Sequence, residues 1–195
     1  MNYGELRIKL LELLNRDDCT NAQADTFISM GLRRVERLLR TPIQKTTAEI
    51  TVDGAWTGSY QLPSDFLGVY TVAVNDIPIS RITRSQTDRL NGFRIEGARV
   101  YFYPDLQEGD EIEFVYYNEF LRGVADDTLT DYSVVLTDIA IYAALTFAGD
   151  HFEDARLDRW EGRLGSLVQE TQMMADIDEM SGGGMMITPY GGGIT

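Results

Sequence analysis

Apolar residues recur along the first forty positions at three- and four-residue intervals. Tyr3, Leu6, Leu10, Leu13 and Leu14 form one such stripe, the mark of an amphipathic helix with one face turned to a core. The stripe ends at Asn15-Arg16-Asp17-Asp18. Thr20 with Gln23 three positions later reads as a capping box, in which each side chain satisfies the other residue's free backbone N–H. It opens a second helix to about Thr41, where Pro42 forbids continuation. Its stripe is Phe27, Ile28, Gly31, Leu32, Val35, Leu38 and Leu39. Two helices so closely linked form an antiparallel hairpin.

From Ile43 the period falls to two, as strands require. Thr47 to Val52 reads as a strand ending at the turn Asp53-Gly54, with Trp56 to Leu62 pairing back as a hairpin. Pro63 then breaks the ladder, since it has no N–H to donate. Leu67 to Val74 and Ile77 to Ile82 follow as strands around Asn75-Asp76. Thr83-Arg84-Ser85-Gln86 is a second capping pattern and predicts a short helix to about Leu90. Phe93 to Ile95, Arg99 to Tyr103 and Glu111 to Tyr117 complete an antiparallel β region.

After a polar linker over 122–131 the helical period returns from Tyr132 to Ala148, with apolar residues on nearly every face and Gly149 as the closing left-handed residue. A helix apolar all round is buried by its neighbours or by another subunit. Asp150 and Glu153 resemble a cap for a fourth helix, whose stripe is Phe152, Leu157, Trp160, Leu164, Leu167, Val168, Thr171 and Met174. The fold class is α+β: a helical bundle of two N-terminal and two C-terminal helices flanking an antiparallel β insertion. The expected divisions are 1–42, 43–121, 122–178 and an extended glycine-rich tail over 179–195.

That tail packs six glycines into residues 181–195. Glycine maximises the entropy lost on ordering, about 1–2 kcal/mol per residue for the backbone. The tail therefore cannot hold a shape by itself. It is expected to lie on a partner, with Met185, Met186, Ile187, Tyr190 and Ile194 as apolar anchors between flexible spacers.

Composition narrows the chemistry. The 195 residues are 44% apolar and 25% charged, an ordinary globular balance. No leader-like or membrane-spanning apolar run is visible, so the chain is expected to be soluble. One cysteine, Cys19, excludes an intrachain disulfide, and one histidine, His151, leaves little for a zinc site. No cofactor or metal is expected.

The net charge of −14 is uneven. Residues 1–47 carry eight basic against six acidic residues, and residues 48–195 carry nine against twenty-five. So acidic a surface argues against a DNA-binding module, which needs a basic face for phosphate contacts. It suits a conduit, because an acidic wall lets DNA pass without adhering.

Arg33, Arg37 and Arg40 fall on one face of the second helix with Arg34 beside them. They read either as a solvated helix end favoured by the helix dipole or as a contact for an acidic partner, with DNA as a weaker third choice. Asp126, Asp127 and Asp131, or Asp150, Glu153, Asp154 and Asp158, could be cast as general acid and base. Such work needs a pair of carboxylates held across a sugar cleft, and these lie in a linker and on a helix surface. His151 reads as a surface residue of a first helical turn, and no nucleophile constellation is visible. Tyr101, Tyr103, Tyr116 and Tyr117 could stack on bases, but Glu111 and Glu113 stand where interleaved basic residues would be wanted. Cross-strand packing explains them better.

The order of elements resembles the tailed-phage head-to-tail adaptor (connector) family, a group similar to the tail accessory factors of short-tailed phages. The residues that carry the likeness begin with Tyr3-Gly4-Glu5-Leu6, Leu14 to Asp18, Phe27-Ile28 and Arg34 to Arg40. They continue with Leu62-Pro63-Ser64-Asp65-Phe66-Leu67, Val100 to Pro104, Val115-Tyr116-Tyr117 and Tyr142 to Leu145. The resemblance spans 3–175. It implies a non-enzymatic virion protein made in the host cytoplasm. It also implies assembly as a homo-oligomeric ring, usually of about twelve copies, between portal and tail. The implied partners are the portal protein, the tail tube or nozzle protein, and double-stranded DNA passing without sequence-specific binding. In such rings the C-terminal segment commonly climbs onto the portal. Some short-tailed phage accessory factors have been linked with cell-wall hydrolysis, so a peptidoglycan hydrolase is the alternative.

Overall fold

A computed structural model describes residues 1–84 and 91–182, with side chains to 177. The short helix expected near Thr83 to Leu90 falls largely outside the described residues, as do Met185, Met186, Ile187, Tyr190 and Ile194. The protein is α+β, with five described helices and two sheets. It divides into two compact units, Pro42–Leu121 and a helical unit of Met1–Thr41 with the chain from Arg122 onward.

In the helical unit, α1 (Tyr3–Leu14) starts at Asn2, whose side chain accepts from the Glu5 N–H while Glu5 accepts from the Asn2 N–H. It stops where Asn15 turns left-handed (φ 50°) and its N–H bonds the Leu11 carbonyl. Leu6, Leu10 and Leu14 are fully buried, whereas Leu13 faces outward. Helix α2 (Asn21–Leu38) begins at the Thr20/Gln23 box. Ala24, Phe27, Ile28, Leu32 and Val35 make its buried face. The helix ends three residues before Thr41: Leu39 is extended and buried, and Leu38, assigned to the core from spacing, is 52% exposed. Gly31 permits α2 to approach α4 closely, since a Cβ there would stand 2.7 Å from the Ala144 nitrogen.

The C-terminal part holds three helices where two were expected. Helix α3 (Asp131–Val134) is capped by Thr130 and Ser133. A break at Val135-Leu136 separates it from α4 (Thr137–His151). Gly149 lies inside α4 and does not close it. The residue is small because a Cβ would meet the Trp160 ring at 3.0 Å. The left-handed residue is Glu153 instead (φ 52°). Asp154, and not Asp150, supports the start of α5 (Leu157–Gly182) by accepting from the Arg156 N–H. Among the described residues, no helix is long and apolar enough to cross a membrane.

The other unit is a two-layer β sandwich. One sheet has the order β1 (Lys45–Thr51), β8 (Glu111–Asn118), β3 (Phe66–Val74), β4 (Ile77–Pro78). The other runs β2 (Ser59–Gln61), β7 (Arg99–Tyr103), β6 (Gly92–Glu96), β5 (Ser80–Arg81). Ile112, Phe114 and Tyr116 alternate inward from β8, and Val100 and Phe102 from β7, into one core with Val72 and Phe93. The Tyr60 ring crosses between the sheets to Phe114 at 6.0 Å. Two expectations change here. Trp56 to Leu62 does not pair back on β1: β2 pairs with β7, and β1 pairs with β8 over seven residues. The β5–β6 pair is parallel, so the region is not purely antiparallel.

Candidate interaction surfaces

The three arginines of α2 and Arg40 just beyond it have different fates. Arg33 and Arg37, one turn apart, are exposed. Arg34 is held by Glu161 and Thr146, each at 3.2 Å. Arg40 lies past the helix end, where its guanidinium bonds the carbonyls of Glu36 and Leu39 and its backbone N–H donates to Gln172. It closes α2 and does not extend the face of Arg33 and Arg37.

Two ionic clusters that no short motif announced lock the helical unit. Arg7 on α1 donates to both Asp25 oxygens on α2 and to Asp126. The Tyr3 hydroxyl also donates to Asp25. Burial first, then the neighbouring Asp25 charge, keeps that hydroxyl neutral well above the usual tyrosine range. Glu36, almost fully buried, takes Arg122 at 2.7 and 2.8 Å. These pairs join positions 18, 119 and 86 residues apart, which local pattern cannot reveal.

The acidic residues considered as general acid and base do not converge on a cleft. Asp126 is committed to Arg7. Asp154 is held by Arg156 through two side-chain bonds and a backbone bond, which bring its carboxyl down to about 2, far from a general acid near neutrality. Arg156 also donates to the carbonyls of Leu13 and Leu14, satisfying the end of α1, and lies over the Trp160 ring. Asp127, Asp131, Asp150, Glu153 and Asp158 are exposed. His151 packs between the rings of Phe27 and Phe152. Among the described residues, no group of three or more His, Cys, Asp or Glu side chains could hold a metal ion.

On the β unit the tyrosines separate by face. Tyr116 is buried and its hydroxyl donates to Asp65. Tyr101 and Tyr103 lie outside the core, and here the expectation of no interleaved base fails. Arg94 stands opposite Tyr101 in register, near both rings at 5.7 and 5.5 Å, and donates to the Tyr103 hydroxyl. Likewise the Lys45 ammonium sits 3.4 Å from the Tyr70 ring centre, beside Tyr117. The miss with Lys45 follows from sequence distance, since Tyr70 and Tyr117 lie far along the chain, whereas Arg94 is a near neighbour whose register with Tyr101 was left out of account. Arg94 is itself paired with Glu96 at 2.9 Å. Glu49 faces Glu113 directly across β1 and β8, with Glu111 nearby, an acidic outer face unsuited to phosphate.

The model of the SU10 adaptor protein family matches residues 1–187. No curated protein matches the chain.

Proposed function

This chain belongs to the SU10 adaptor protein family, and from that premise we propose that it is a structural ring subunit joining the portal of a tailed-phage head to the tail. The family match over nearly the whole chain carries the reading. Many copies close a ring around the DNA path, the acidic surface lets DNA slide, and function comes from assembly with no chemistry of its own. The arginine pairs of the helical unit keep α1, α2 and the 122–130 segment in one arrangement, as a subunit bearing load between two rings requires.

Helix α5 runs on to Gly182, past the expected start of the tail at 179, and the segment after it, over 183–195, latches to the portal through Met185, Met186, Ile187, Tyr190 and Ile194. Each latch is weak, and repetition around the ring multiplies it through effective concentration. The β unit offers its loops and outer strands to the tail tube or nozzle.

Native mass spectrometry of the full chain with and without its portal tests the proposal. A closed homo-oligomer on the portal is expected. Truncation after residue 182 should weaken capture at least tenfold, about 1.4 kcal/mol for the ring as a whole. A chain that stays monomeric and ignores the portal overturns the reading.

A further inference from the structure

The helical unit carries two separate hollows, one on each flank of α5, the first mainly apolar and the second mixed, with Thr137, Asp138 and Thr171 in its wall. Leu38, Val168, Met173 and Ile177 line the first, of about 610 Å³, with Asp176 the one charged residue in its wall. Val134, Val135, Ile139 and Leu167 line the second, of about 320 Å³. Leu164 and Ala175 are buried along the line of α5 between them. Leu38, Met173 and Ile177 at the first, and Val134 and Val135 at the second, are each more than half exposed. Exposed apolar clusters with polar rims are characteristic of protein contacts.

Charge indicates what covers them. At −14, two copies of this chain repel one another over most of their surface. A self-contact must therefore set a basic rim against an acidic one. Arg33 and Arg37 stand exposed on the part of α2 that runs into Leu38, whereas Asp131 and Asp138 stand exposed on either side of Val134-Val135. A contact that set like patches face to face would place each rim against its own sign. A head-to-tail contact opposes them, and it is also the kind that closes rings.

Resting on the ring reading above, we propose that successive copies join head to tail. The Leu38/Met173/Ile177 hollow of one copy receives the Val134-Val135 edge of the next, with Arg33 and Arg37 beside Asp131 and Asp138. The unequal flanks of α5 set the direction around the ring.

The test uses full-length chains with Cys19→Ser as background, mixed with portal under mild oxidation. Copies carrying Ile177→Cys mixed with copies carrying Val134→Cys should form mixed disulfide dimers, while neither alone cross-links. In parallel, Arg33→Glu with Arg37→Glu should raise the concentration needed for assembly at least tenfold, and adding Asp131→Arg with Asp138→Arg should restore it, circular dichroism confirming each fold. Rings of unsubstituted chain with no mixed cross-link, or an Ile177→Cys self-dimer, overturn the head-to-tail contact alone. Failure of the unsubstituted chain to assemble on the portal overturns the ring reading and this contact with it.

Discussion

The two units treat their apolar residues differently. Eleven of the fourteen exposed large hydrophobic side chains among the described residues belong to the helical unit, although its described part is not much larger. The β sandwich leaves only Tyr70, Ile77 and Leu121 of its described large hydrophobics exposed, the others being buried or half-buried around Phe114, Phe102, Val72 and Val100. The helical unit instead spends specific ion pairs on fixing its shape and leaves Leu38, Leu129, Val134, Val135, Met173 and Ile177 outside. One unit is complete as a core. The other is a shaped surface awaiting a neighbour, which is what an adaptor needs where it contacts other subunits.

The sharpest way to break that contrast is to damage the sandwich core. Phe114→Ala should cost about 3–5 kcal/mol, since a buried ring leaves both its transfer energy and a cavity behind, and denaturant unfolding should show it. In the helical unit Arg122→Met should cost nearly as much, about 3 kcal/mol, because the buried Glu36 carboxylate would lose its two bonds from the Arg122 guanidinium. Adding Glu36→Leu should recover most of that loss, and a double-mutant cycle measures it. A failed recovery would mean that the pair is not the lock. Next in size, Asn2→Ala removes the cap of α1 and should cost about 1 kcal/mol.

Acid should weaken the helical unit as well. The Asp154 carboxyl sits at about 2 when folded, below its ordinary 3.8. Its contribution is therefore full above about pH 4 and disappears as the pH falls toward 2. Between those values the wild type should lose more stability than Asp154→Asn, measured by thermal melts across pH. The smallest effect belongs to Arg33→Ala and Arg37→Ala. Both side chains are exposed, so the isolated chain's stability should move by less than about 0.5 kcal/mol while assembly weakens.

How far pattern alone reached follows the distance over which each interaction acts. The Thr20/Gln23 box, the stripe of α1 and the inward alternation of β7 and β8 are local, and all are visible in the sequence. The partner of Trp56 to Leu62 was not, because adjacent strands suggested a hairpin while burial in a sandwich selected β7. The break at Leu136 was hidden because the apolar residues of Tyr132 to Ala148 resume directly after it. Gly149 looked like a stop signal because the Trp160 ring it makes room for arrives from the next helix. Of the candidate surfaces, Arg33 and Arg37 were legible. The Glu36–Arg122 lock, the role of Arg40 and the placement of Arg94 between two tyrosines required coordinates.

Hydrogen–deuterium exchange of the full chain, free and assembled on its portal, tests the central contrast most directly. New protection should appear at the C-terminal end of α2, across α3, along the second half of α5 and in residues 183–195, with the β8 and β7 core unchanged. Protection gained only in the sandwich, with the helical unit exchanging as before, would contradict the account.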